Sequence, residues 1–365
     1  MESNPLSASK IKTLQTCSYM YWAKYHLGIP DSNNDGSRRG SICHLIFELL
    51  GKSGRENKFN NIINTRDVFS EPSIKRLIFK HAIREGIADE TNINMMKEMI
   101  LNGLLYDFFG DTHGNPDQAE SELAFVIKKN EDGVSYHIRG FIDKLFLYKK
   151  QKYALIRDFK SSKKPFNSYE IDDNLQDLMY SLAVKKLFPE YVNRQSEFLF
   201  LKFELDPSYE NQFIKPKNKN GKLITPPKHS SINSGVIRMA HVSDSELRGF
   251  EHFLTEIQNV VDNFNEEMAQ ASMAYDKGFP KPEEGFAGKL VCGNATKHGQ
   301  LKKDGTPAWC CPFKLARDYF AAIGEDGEVL KTAHTKEELS EFKNVEKKRY
   351  LGCPAFRFDI SHDLI

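Results

Sequence analysis

Apolar residues recur along this chain with two different periods, and the period changes near Gln118. Before it the spacing is helical. Ser7-Ala8-Ser9-Lys10-Ile11 opens a helix with serine caps, and Ile11, Leu14, Tyr21, Trp22 and Tyr25 give it an apolar side. Cys17 falls inside it, and Leu27-Gly28-Ile29-Pro30 ends it. Residues 31–39 read as a polar loop. A second, strongly apolar helix runs from about Gly40 to Leu50 and sets His44 and Glu48 four apart on one face. A solvated His–Glu pair has the same spacing, but Ile42, Leu45, Ile46, Leu49 and Leu50 move this pair towards a buried role. Residues 52–112 are mostly helical, with apolar spacing strongest from Ile74 to Ile87 and from Ile93 to Phe109.

After Gln118 the runs have strand length. Glu120 to Lys128, Val134 to Leu147 and Tyr153 to Lys160 make three consecutive strands, with Glu122 entering the first. The second and third, joined by a charged turn at Lys149 to Lys152, form a hairpin. A helix from about Asn174 to Leu187 carries Gln176 and Tyr180 four apart, and Ser196 to Leu205 is a fourth strand. Helix, three strands, helix, strand is the order of an α/β fold: a mixed central β-sheet flanked by helices. Lys215 to Lys222 and Pro226-Pro227-Lys228 lie in a basic loop. Ser243 and Glu246 form a capping box that opens a long amphipathic helix to about Tyr275, broken by Gly278-Phe279-Pro280. The remainder reads as an irregular, cysteine-bearing tail. The division this gives is N-terminal helices at 1–51, a helical insert at 52–117, the α/β core at 118–205, a basic loop and long helix at 206–280, and the tail at 281–365.

Charge placement adds the chemistry. Asp143 interrupts one apolar run, and Asp158 with Lys160 closes the next. Alternation along a strand sends Asp158 and Lys160 to one face, and pairing of the hairpin brings Asp143 beside them. Carboxylate oxygens are the ligands that Mg²⁺ and Mn²⁺ favour. A neighbouring ammonium can position a water or stabilise charge on a phosphate. Composition sets bounds on this. Over 365 residues, 40% apolar and 28% charged content is that of a globular chain, and a net charge of +1 requires any nucleic-acid contact to come from a local patch. No apolar run is long enough to span a bilayer, and the start of the chain lacks the build of a signal peptide, so a cytoplasmic setting with reduced thiols is expected. There Cys17, Cys43, Cys292, Cys310, Cys311 and Cys353 are free thiols or metal ligands rather than disulfides.

Six pieces in this order resemble the RecB-type branch of the PD-(D/E)XK nuclease superfamily. They are Ser7 to Ile11 leading to Cys17; Leu27-Gly28-Ile29-Pro30; Gly40 to His44 with Glu48; Gly140-Phe141-Ile142-Asp143; Asp158-Phe159-Lys160; and Gln176-Asp177-Leu178-Met179-Tyr180. The resemblance covers about residues 7–205 and implies a restriction-endonuclease-like core. It also implies a metal-dependent deoxyribonuclease, an exonuclease acting on single-stranded DNA or DNA ends. His44, Asp143 and Asp158 would be ligands of Mg²⁺ or Mn²⁺, Lys160 the catalytic lysine, and Gln176 and Tyr180 the pair that orients it and touches DNA. Glu48 and Glu122 match acidic positions near the site without a fixed role. The softer imidazole tilts the choice towards Mn²⁺. Cleavage would leave a 5′-phosphate and a 3′-hydroxyl.

Members of this branch with four cysteines hold a [4Fe–4S] cluster, one ligand ahead of the core and three near the C-terminus. Cys17, Cys292, Cys311 and Cys353 are the set the resemblance implies, with Zn²⁺ as the alternative cofactor. Adjacent Cys310 and Cys311 do not both bind one metal easily, so one is spare, and Cys43 is left to the core. The pathways in view are DNA repair, recombination and viral genome processing. Trp22, Tyr25, Phe166, Tyr169 and Trp309 are candidates for stacking on unpaired bases. The competing reading is a nuclease-fold DNA-binding or scaffold subunit of a helicase–nuclease or packaging assembly. The chain has no phosphate loop of its own, since Ile46 stands where Gly51-Lys52-Ser53 would need a glycine, so any helicase is a separate partner.

Overall fold

The computed structural model describes residues 4–31, 34–162, 174–203, 205, 235–274, 291–303, 305 and 308–356. The basic loop at Lys215 to Lys228, the Gly278-Phe279-Pro280 break, Phe166 and Tyr169 lie outside them. In chain order the helices are α1 (Ala8–Thr16), α2 (Ser18–Tyr25), α3 (Asp35–Leu50), α4 (Glu56–Thr65), α5 (Pro72–Arg84), α6 (Glu90–Leu105), α7 (Leu175–Leu187), α8 (Asp244–Asp262) and α9 (Glu266–Ala271). The strands are β1 (Gln118–Glu131), β2 (Val134–Tyr148), β3 (Tyr153–Lys160), β4 (Asn193–Phe200), β5 (Val236–Arg238), β6 (Arg317–Ile323), β7 (Val329–Ala333) and β8 (Val345–Tyr350). They fall into two compact units. One comprises Met1–Ala8 with Asn33–Gln258, and the other Ser9–Ser32 with Asn259–Ile365.

The first unit is built on a five-stranded mixed sheet in the order β1-β2-β3-β4-β5. β1–β2, β2–β3 and β4–β5 are antiparallel, while β3 and β4 are parallel. A parallel pair needs a crossover, and α7 supplies it. Asn174 starts α7 by accepting from the amides of Gln176 and Asp177. One face of the sheet packs on the helical insert, where Ile46, Phe47, Ile78, Met99, Ile100 and Leu104 join Phe159 and Leu199 in one core. This is the expected fold class, a mixed sheet flanked by helices.

Several local expectations need correction. α3 begins at Asp35, inside the stretch read as a loop, because the Asn34 side chain caps it by accepting from the Ser37 amide. β4 starts three residues early and stops at Phe200, where the chain turns and Leu201 bonds back to the Lys160 carbonyl. The capping box forms as read, with the Ser243 amide on Glu246 Oε2 at 2.7 Å and the Glu246 amide on Ser243 Oγ at 3.2 Å. The helix it starts ends at Asp262, since Asn265 caps a new one, α9, by accepting from the Met268 amide.

In the second unit the first helix is two. Cys17 is extended (φ −161°, ψ 117°) and stands at the head of α2 rather than within a helix. Long-range bonds hold the break open: the Ser18 amide and hydroxyl donate to the carbonyls of Ser272 and Ala269, and the Ala274 amide lies 3.4 Å from Cys17 Sγ. The tail is not irregular either. It holds a three-stranded antiparallel sheet in the order β7-β6-β8, with Ala322, Ala333 and Leu339 as a small core and Asp318 bridging Lys347 and Arg349 across strands.

Lys144 on β2 is buried, and among the described residues no carboxylate pairs with it directly. Its Nζ donates to the Phe108 carbonyl at 2.8 Å and lies 3.6 Å from the Phe108 ring centre. Burial, reinforced by the charge of Arg157, pulls its pKa down to about 7. The unfolded chain therefore holds this proton more tightly from about pH 7 to about pH 10, so stability rises with pH across that window. By chemical denaturation, the stability of the wild type relative to that of the Lys144→Met protein should rise by on the order of 2 kcal/mol between about pH 7 and 9.

Candidate active site

The register of the sheet lines up three acids. Lys144 pairs with Arg157, which puts Asp143 across from Asp158. Ser121 pairs with Lys144 and Leu123 with Ile142, which puts Glu122 across from Asp143. Three carboxylates thus stand abreast on β1, β2 and β3. The ladders give way here. Glu122 has a left-handed backbone (φ +53°), unusual for a side chain of its size within a strand. β2–β3 pairing runs only as far as Lys144, and beyond it Asp143 Oδ2 accepts from the Phe159 amide at 2.7 Å.

α3 brings His44 to this point. Its Nε2 lies 2.9 Å from the Phe159 carbonyl, which only accepts, so Nε2 carries the proton. Nδ1 then faces the acids, 3.3 Å from Asp143 Oδ2 and 3.9 Å from Glu122 Oε1. Ligand atoms of His44, Glu122 and Asp143 all lie within 4.8 Å of one another. Burial opposes the imidazolium, but Asp143, with Asp158 and Glu122 behind it, outweighs that and lifts His44 to about 9. Burial, then the charge of Asp143, pushes Glu122 up to about 7. Glu48, one turn past His44, pairs with Lys52 at 2.6 Å, and its charge adds to the rise at Glu122.

A second group closes around Asp158. Lys160 Nζ donates to Gln176 Oε1 at 2.6 Å, and Gln176 Nε2 donates to Asp158 Oδ2 at 2.6 Å and to the Tyr180 hydroxyl at 2.5 Å. Tyr180 in turn donates to Asp158 Oδ2 at 3.1 Å. One amide therefore reads both ends of an ion pair, its oxygen on the lysine and its nitrogen on the acid. Lys160 Nζ also lies 2.5 Å from Asp158 Oδ1, an ion pair on the side of the carboxylate that Gln176 and Tyr180 leave open. Burial raises the Asp158 pKa; Lys160 opposes the rise and Asp143 adds to it.

The residues singled out in the sequence for this site, His44, Asp143, Asp158, Lys160, Gln176 and Tyr180, thus come together. Asp158 is held by the lysine group, and it is Glu122 that completes the close trio with His44 and Asp143. Sequence spacing left Glu122 without a role because its place opposite Asp143 depends on a strand register. The donor set, one imidazole and carboxylates without thiolate, fits Mg²⁺ or Mn²⁺.

In the second unit Cys17, Cys292, Cys311 and Cys353 are buried and free of disulfides. The Cys311 amide donates to the Cys292 carbonyl at 2.9 Å, and the Cys353 amide to the Lys314 carbonyl at 3.1 Å. Burial, then the nearness of Cys292, Cys17 and Cys353, pushes the Cys311 thiol up to about 12. Cys310 is half-buried, and besides burial it feels Lys314 and Arg317 rather than other thiols. Among the described residues no three cysteine sulfurs lie within 4.8 Å of one another. Cys43 sits in the helical core.

A family model for the PD-(D/E)XK nuclease superfamily matches residues 5–277. None of the curated proteins matches the chain. Among solved structures, one called "Putative exonuclease" from Eubacterium rectale is 12% identical with a TM-score of 0.39, covering 71% of this chain and 81% of its own. Another, SSO0001, is 12% identical with a TM-score of 0.22, covering 68% and 85%. At those scores neither bears on the argument.

Calorimetric titration with Mn²⁺ separates the acids. Glu122→Gln and Asp143→Asn should each weaken binding at least about 10-fold, whereas Glu48→Gln should stay within about 3-fold.

Proposed function

Because the chain belongs to the PD-(D/E)XK nuclease superfamily, a family of hydrolases acting on nucleic acid, we propose that it is a divalent-metal-dependent deoxyribonuclease. The observation that carries this is the join between two groups: the His44–Glu122–Asp143 trio and the Asp158–Lys160–Gln176–Tyr180 ring meet at the ends of β2 and β3. His44, Glu122, Asp143 and Asp158 would hold Mg²⁺ or Mn²⁺. When bound, such an ion polarises a phosphate and lowers the pKa of a coordinated water. The rest is done by side chains. Gln176 fixes the Lys160 ammonium where it can hold the attacking water or meet charge on the phosphate. Tyr180 steadies Asp158, and the Phe159 carbonyl fixes the tautomer of His44. In-line attack then leaves a 5′-phosphate and a 3′-hydroxyl. The reading extends to exonuclease action on single-stranded DNA or DNA ends, supported by the resemblance to the four-cysteine branch. It also takes in a separate helicase or recombination partner and a cytoplasmic setting. No described helix is long and apolar enough to cross a membrane. A DNA-binding scaffold with a decayed site is the weaker reading, because every side chain of the ring is present and engaged.

For the second unit we propose a structural [4Fe–4S] cluster on Cys17, Cys292, Cys311 and Cys353. Cys311, not Cys310, is the thiol that feels the other three.

Asp158→Ala and Lys160→Ala should each reduce cleavage of end-labelled single-stranded DNA with Mn²⁺ by at least about 10³-fold while the protein still melts cooperatively. Unchanged activity would remove these residues from the site, and wild-type protein that binds DNA without cutting it would favour the scaffold. Anaerobically purified protein should be brown and contain iron and sulfide. Cys17→Ser should bleach it and Cys310→Ser should not; a colourless protein containing zinc would reverse the cofactor assignment.

A further inference from the structure

Phe159 holds two members of the close trio through its main chain. Its amide donates to Asp143 Oδ2 at 2.7 Å, and its carbonyl accepts from His44 Nε2 at 2.9 Å. Where both ligands stand therefore depends on where the Phe159 backbone sits. The buried Phe159 ring anchors that backbone in the helical core. Phe47, three residues past His44 on α3, stacks on this ring with centres 4.2 Å apart and planes at 27°, and the His44 ring meets it edge-on at 6.2 Å. One face of α3 thus grips a single strand residue twice. Phe47 in turn is seated on Gly103, in the last turn of α6, where a Cβ would come within 2.5 Å of Phe47 Cζ and 3.0 Å of Leu201 Cδ2. Gly103 has no left-handed backbone, so close approach rather than conformation calls for glycine here. Leu201 is the residue whose amide donates to the Lys160 carbonyl at 3.0 Å. One bare spot on α6 therefore lies under two routes into the site, through Phe47 and Phe159 to His44 and Asp143, and through Leu201 to Lys160. Interiors are close-packed, so a methyl group at this spot must displace a neighbour.

We propose that Gly103 and Phe47 are positioning residues for the metal-binding trio. The Phe47 ring, seated on the bare backbone of Gly103, sets the depth of Phe159, and the Phe159 amide and carbonyl then set the places of Asp143 and His44. This rests on the metal-dependent nuclease reading and deepens it. Most core contacts fix only a side chain. This one fixes the residue whose main chain carries two ligands, so packing here is read out at the metal.

Gly103→Ala tests it beside a control, Val68→Ala, which opens the same core in the turn between α4 and α5. In metal-free protein the Phe159 amide should exchange with solvent at least about 10-fold faster in Gly103→Ala than in Val68→Ala. By calorimetry, Mn²⁺ affinity should fall about 10-fold in the first and less than about 2-fold in the second. Adding Phe47→Leu to Gly103→Ala makes room for the methyl group and should bring the affinity back to within about 3-fold of wild type. Unchanged exchange or affinity in Gly103→Ala, equal losses in the two single variants, or a loss that Phe47→Leu does not relieve overturns the proposal. If Gly103→Ala does not fold, Phe47→Leu alone decides: it should weaken Mn²⁺ binding at least about 3-fold, and no change overturns the proposal. A wild type that binds no Mn²⁺ would sink the metal reading, and the exchange comparison in metal-free protein would still decide this one.

Discussion

Asp158 is a carboxylate at 4% exposure, and keeping a charge there shapes everything around it. Isolated, it would cost several kcal/mol in lost hydration. Lys160 alone does not remove that cost, because the ammonium engages only one side of the acid. Gln176 does the rest, since an amide carries an acceptor and a donor on one rigid plane and can satisfy both ions. The crossover helix must therefore run over β3 with its first turn above Asp158, which ties the parallel β3–β4 topology to the chemistry. Tyr180, one turn on, adds a second donor.

β3 carries a buried charge on its other face as well. Arg157 is fully buried between Glu197 Oε1 at 2.8 Å and Asp107 Oδ2 at 3.0 Å. Glu197 also takes Arg238 at 2.9 Å and the Tyr106 hydroxyl at 3.0 Å. Adjacent residues of one strand thus present opposite charges to opposite sides, each answered by different elements. Such an arrangement tolerates little register slip, because a shift of one residue would send Arg157 towards the acids and Asp158 into the core. Ion pairs of this kind add little net stability, but they penalise wrong pairings heavily.

What the sequence made readable was local. The hairpin, the Asp-x-Lys spacing and the four-residue step from Gln176 to Tyr180 need only a strand or helix period. Glu122 needed a register, and its left-handed backbone leaves no sign in the run Glu120 to Lys128. The break at Cys17 depends on carbonyls and amides some 250 residues away, so a local pattern could only continue the helix. The tail sheet escaped because its strands are short and Lys347, Lys348 and Arg349 hide the alternation; three of its buried positions, Ala321, Ala322 and Ala333, are alanines, which carry little periodic signal. The two-unit division follows from the same long-range bonds, which place Cys17 in the unit of Cys292, Cys311 and Cys353.

The trio and the strain at Glu122 have one physical explanation. Three acids abreast repel, and the backbone at Glu122 adds a conformational cost of order 1 kcal/mol. His44 offsets part of the repulsion, which is why its proton is held so firmly. Neither penalty helps the fold, and a sheet with Leu or Val at these positions would be the more stable one. What the arrangement secures is a cluster of oxygens and one nitrogen, already within 4.8 Å of one another, whose mutual repulsion a divalent cation would cancel. Carboxylate repulsion and cation affinity therefore arise from the same oxygens, and a substitution that removes one of these carboxylates lowers both.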